Sequence, residues 1–208
     1  MINNVLEIVN TLEDYEVVKD LLTIRPYPVG APGVEDSIHK VVGDIALVLY
    51  AALKEGDEVL VGARIPRKLG EAWGIPSDTL MAVVFNNTMA KNEPRILDIA
   101  SFLFTPDGIG GIPLDEFEGD FPYVCLTTEK KINGAIAAFM PGVAKRIANA
   151  FGSDIYLVFT SVHEVMIHPV GEFEKETLQC VMKDTIEAAT AKNDILTHNL
   201  YRDRKSVV

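Results

Sequence analysis

Ser161, His163 and Glu164 lie close together in the chain, and His168 follows five residues after His163. A hydroxyl, an imidazole and a carboxylate are the groups from which acid–base and nucleophilic sites are assembled. His163-Glu164-Val165-Met166-Ile167-His168 resembles a zinc protease signature with one residue too many. Two histidines four apart share a helix face and can hold one metal ion. A spacing of five turns them about 140° apart on a helix, and on a strand sends them to opposite faces. The segment therefore predicts no metal site. Ser161 and His163, two apart, can share a strand face and hydrogen-bond. A serine nucleophile needs in addition a third group and an oxyanion site, and no glycine-flanked elbow surrounds Ser161. The alternative role for Thr160, Ser161 and Glu164 is to satisfy backbone groups at a bend.

The elements that position these residues read as two apolar strands, Asp154–Phe159 and Glu164–Val170, hinged at Thr160-Ser161. Around them, Pro122–Thr128 reads as a strand, and Lys131–Met140 as a turn leading into another. Pro141–Gly152 reads as a helix with proline at its start and glycine at its end. Residues Glu174–Ala189 form an amphipathic helix with Leu178, Val181, Met182, Thr185 and Ile186 on one face.

In the first half, residues 3–22 read as an amphipathic helix, and 25–37, with Pro26 and Pro28, as a loop or edge strand. Residues 43–65 read as a hairpin turning at Gly56-Asp57. Pro66 and Gly74 bracket a short helix. Ser77 caps another, for which Asn86-Asn87-Thr88 supplies the carboxyl-terminal cap and turn. Ile96, Ile99 and Phe102-Leu103 recur at helical spacing and predict a helix over 92–104. A glycine- and acid-rich stretch, about 105–121, reads as a flexible loop, and a polar tail from about 193 as a fraying end. The sum predicts one α+β domain over residues 1–208, a mainly antiparallel sheet with helices packed against it.

The chain has 208 residues, 48% of them hydrophobic, and a formal charge of −11. That charge repels phosphate backbones and anionic membrane surfaces, and so argues against direct nucleic-acid or membrane binding. The amino terminus has no basic region ahead of its apolar residues, and no apolar run approaches the roughly 18 residues that span a bilayer. These features predict a soluble, cytoplasmic protein. Cys125 and Cys180 lie in apolar periodic segments with no metal or redox spacing and are expected to be buried thiols. Asp107-Gly108-Ile109-Gly110-Gly111 lacks the lysine and the strand-to-helix setting of a phosphate loop. No cofactor is implied. Trp73, the single tryptophan, is a candidate core anchor or partner-binding residue.

Several segments in order resemble an uncharacterised family, a domain of unknown function found in anaerobic gut bacteria, their phages and mobile elements. They are Trp73-Gly74-Ile75, Asn87-Thr88, Leu126-Thr127, Gly134-Ala135, Pro141-Gly142-Val143, Ser161-Val162-His163-Glu164-Val165 and Leu196 to Tyr201. The chain departs from that pattern at Arg67-Lys68-Leu69, where the family often has Asn-Glu-His, and at Phe159-Thr160, where it has Pro-Ser. The resemblance implies fold and setting, and no established activity. Three functions remain open. The first is a non-catalytic protein that binds another protein. The second is a hydrolase centred on Ser161, His163 and Glu164. The third is an acidic DNA mimic that inhibits a defence protein.

Overall fold

A computed structural model describes residues 12–55, 60–99 and 111–203. It shows an α+β chain with two antiparallel sheets, arranged as two compact units, residues 1–91 and 92–208.

The amino-terminal unit is built on one long strand. After a short helix α1 (Tyr15–Val18) and a 3-10 turn, the chain becomes extended at Leu22, which ends the helix expected to run through 22. Strand β1 (Leu22–Pro28) pairs along one edge of β3 (Ile45–Glu55). On the other edge of β3, β2 (His39–Val42) is followed by β4 (Leu60–Arg64). Among the described residues β1 pairs on one side only, and an edge strand is where two prolines can be accommodated. Gly43, at φ 62, and Asp44 make the tight β2–β3 turn. The expected β3–β4 hairpin is present, and its turn at Gly56-Asp57 lies outside the described residues.

Helix α2 (Arg67–Ala72) and helix α3 (Ser77–Lys91) complete the unit. In α3, Leu80, Val84 and Thr88 are buried at four-residue spacing on the face packed against β1. Thr88 does not cap the helix as expected. It sits inside it, donating to the Val84 carbonyl at 2.8 Å and accepting from the Ile24 N–H at 3.0 Å.

The carboxyl-terminal unit holds a six-stranded sheet. Its order is β10 (Tyr201–Asp203), β8 (Ile155–Val158), β9 (Val165–Pro169), β7 (Val124–Thr128), β5 (Pro94–Asp98) and β6 (Ile112–Pro113). Three expectations are corrected. Residues 94–98 form a strand rather than part of a helix, because pairing with β7 overrides a short run of helical spacing; residues 100–104 lie outside the described region. Gly134–Phe139 form a 3-10 helix rather than a strand. Residues 201–203 pair with β8 instead of fraying. The 105–121 stretch is described only from 111, where β6 leads into a 3-10 turn whose carbonyls are held by Arg146.

One face of this sheet carries Ile96, Leu126, Val165 and Ile167, all nearly inaccessible. The 3-10 segment packs on this part of the sheet and meets α4 (Val143–Phe151). On the opposite face, Leu97, Cys125, Met166 and Val158 are successive register partners across β5, β7, β9 and β8. Helix α5 (Lys175–Ala189) covers the Val158 end of that row with Met182 and Ile186. Leu178, Met182 and Ile186 are buried, whereas Val181 is 55% exposed and does not share their face.

Candidate functional site

The two strands of the opening segment do form a hairpin, and residues 159–164 make its bend. Thr160 and Ser161 are buried there, each 6% exposed. Both hydroxyls donate to one oxygen of the Glu164 carboxylate, Oε1, at 3.0 and 2.7 Å. The Ser161 hydroxyl also accepts the His163 N–H at 2.9 Å. Ser161 therefore meets His163 through the backbone N–H and donates its own hydrogen bond to Glu164. The imidazole is turned elsewhere. Its Nδ1 accepts the Asn133 N–H at 3.2 Å, which leaves the proton of a neutral ring on Nε2, 3.8 Å from Asp194 Oδ1.

The bend is held from three sides. Thr127 Oγ1 donates to the His163 carbonyl at 2.8 Å, Ala135 N–H to the Val162 carbonyl at 3.2 Å, and Thr190 Oγ1 to the Thr160 carbonyl at 2.8 Å. Val162 N–H in turn donates to the Asp194 carbonyl at 2.8 Å. Asn133 enters with φ 54 in the left-handed region, and Gly134 follows against Thr127 and the His163 carbonyl, where a Cβ has no room.

Beside the bend lies a cavity of about 440 Å³, within the usual range for small-molecule sites. Leu97, Cys125 and Met166 give it an apolar floor, while Glu164, His163 and Asp194 make its polar end. Lys131 stands exposed on its rim. Burial pushes the Cys125 thiol up to about 12, with the Glu164 charge adding to the effect. At neutral pH that sulfur is a protonated wall atom and not a nucleophile. Cys180, expected to be buried, is exposed on α5.

The carboxylate is only half used. Both hydroxyls go to Oε1, and Oε2 has no protein partner among the described residues. The arrangement thus offers a fixed acceptor at the end of an apolar slot. It does not assemble a serine–histidine pair, since the imidazole faces Asn133 and Asp194.

His168 lies away from this constellation. Its ring packs against Tyr123, at 6.2 Å between centroids, and edge-on against Phe173 at 5.8 Å, and burial lowers its pKa below 6.5. Trp73, in the other unit, donates its indole N–H toward the Leu12 and Glu13 carbonyls at 3.1 and 3.2 Å. Its ring packs at a tilt against Tyr15, 5.6 Å between centroids, so it fastens residues 12–15.

Asn133, Thr127, Cys125 and Asp194 were not among the residues that the sequence marks as chemical. Asn133-Gly134 carries a usable signal, a dipeptide suited to positive φ. Asp194 carries none.

The family model described as a family of unknown function, DUF5688, matches residues 5–204. The chain belongs to that family. No curated protein and no solved structure matches it. Three of the segments that carry the resemblance, Leu126-Thr127, Gly134-Ala135 and Ser161–Val165, meet around the bend. Among the described residues, no helix is long and apolar enough to cross a membrane.

Proposed function

We propose that the carboxyl-terminal unit binds a small molecule with an apolar body and a hydrogen-bond-donating head, an ammonium or an amide N–H, placed on Glu164. The observation that carries this reading is Oε2, which has no protein partner among the described residues, at the polar end of an otherwise apolar cavity. A carboxylate held by two buried hydroxyls is already oriented, so a ligand loses little in ordering it. A charge-assisted hydrogen bond there is stronger than a neutral one.

Hexylamine and hexanoate, matched in length and opposite in head charge, test the reading by NMR titration. Hexylamine is expected to shift the amides of residues 160–164, and Glu164→Gln to weaken it by about ten-fold. Equal binding of hexanoate, or no shift with hexylamine, overturns the proposal.

A protein partner is the second reading. The observation favouring it is the exposed aromatic pair Tyr123 and Phe173, 5.9 Å apart, each of which also packs on the His168 ring. Accessible aromatic residues are common at recognition surfaces. A cytoplasmic setting, expected from the sequence, and an origin in gut bacteria or their mobile elements, implied by the resemblance, are compatible with either reading.

A further inference from the structure

The amino-terminal unit has a second cavity, of about 430 Å³, lined by Tyr27, Ser37, Tyr50, Gly62 and Arg64 among others. Its chemistry is opposite in sign to that of the first. Arg25 and Tyr27 alternate on one face of β1, and Tyr50 of β3 stands directly opposite Arg64 of β4. The two guanidinium groups converge on the rings. Arg25 Cζ lies 5.1 Å from the Tyr27 centroid and 5.5 Å from that of Tyr50, and Arg64 Cζ lies 5.3 Å from Tyr27.

Neither arginine has a carboxylate within ion-pairing distance among the described residues. In a chain with 30 acidic and 19 basic residues, that is a departure from the general pattern. The Nε of Arg25 is enclosed and has no hydrogen-bond partner among the described residues. Taking a guanidinium partly out of water without a counter-ion is costly, and ring faces return only part of that cost. Asp36 is the carboxylate on the cavity wall, and it makes no ion pair with Arg64. Gly33 leaves the guanidinium accessible, since a Cβ there would stand 3.0 Å from Arg64 Nη2.

We infer that this cavity binds a small oxyanion, free or carried on a small organic molecule. The Arg64 fork makes the direct contact, and Arg25, behind the two tyrosines, supplies a second positive charge. A planar guanidinium matches the paired oxygens of a phosphate or carboxylate. Tyr27, whose phenol burial raises above its usual pKa, stays protonated and so adds no negative charge. An aromatic carrier would find the Tyr50 ring beside the anion.

The test is NMR titration of the full chain with inorganic phosphate, phenyl phosphate and benzoate, following the amides of Gly33, Ser37 and Gly62. At least one anion is expected to shift all three, with affinity falling as sodium chloride is raised. Tighter binding of phenyl phosphate than of phosphate identifies an organic phosphate; equal binding identifies the free ion; preference for benzoate identifies a carboxylate. Arg64→Gln is expected to weaken binding by about ten-fold while leaving the fold intact, and Arg64→Lys to restore part of it. No shift with any of the three anions overturns the inference. So does an Arg64→Gln variant that binds as well as the parent.

Discussion

The two cavities are nearly equal in volume and differ in how their charges are held. At the bend of the β8–β9 hairpin, the Glu164 carboxylate receives two hydroxyls from residues three and four positions earlier in the chain. In the amino-terminal unit, Arg25 and Arg64 meet across three strands and rest on tyrosine faces, with no carboxylate partner among the described residues. The first charge is part of the local structure as well as a contact point. The second is held in place by its surroundings but contributes little to them. Removing the first should therefore cost stability and removing the second should not.

The largest effect is expected where the bend is packed most tightly. Gly134→Ala forces a Cβ into Thr127 and the His163 carbonyl and should lower stability by about 3 kcal/mol, read by urea denaturation. A change below about 1 kcal/mol would mean that the bend is loose enough to give way. Next, Glu164→Ala leaves the Thr160 and Ser161 hydroxyls without their acceptor and should cost about 2 kcal/mol. Arg64→Ala should stay within about 0.5 kcal/mol of the parent. Equal losses for the pair would erase the contrast between the cavities.

The smallest effect concerns His168, on the same sheet face as the first cavity. Burial lowers its folded-state pKa below the unfolded value of 6.5, so the unfolded chain binds its proton first as pH falls. Its contribution is thus steady above about pH 6.5 and is lost as pH drops below that value. Stability measured between pH 7.5 and about 5 should decline less in His168→Phe than in the parent. Parallel curves would show that His168 is not the group responsible.

The same contrast explains what could be read from the sequence. The hairpin and its bend were legible because their signals are local: alternating apolar residues on both sides and hydroxyls within four positions of the carboxylate. The helix bounded by Pro141 and Gly152 was legible for the same reason. Arg25, Tyr27, Tyr50 and Arg64 come together only through strand register, and isolated arginines among alternating residues give no hint of it. Residues 94–98 misled because Ile96 and Ile99 fit a helical spacing while the pairing that decides their state lies with β7, some thirty residues later. Asp194 reaches His163 from beyond α5, a distance in sequence that no spacing rule covers.

The strand order also bears on how the chain is made. β8 lies inside the carboxyl-terminal sheet only because Tyr201–Asp203 pairs along its outer side, and Arg202 adds a 2.6 Å ion pair to Asp154. While the chain is being synthesised, β5, β7, β8 and β9 all emerge before that strand. The nascent sheet thus exposes the unpaired backbone of β8, a ready template for another chain. Three residues close that edge, so a chain cut shortly before residue 201 would leave β8 open and be prone to self-association.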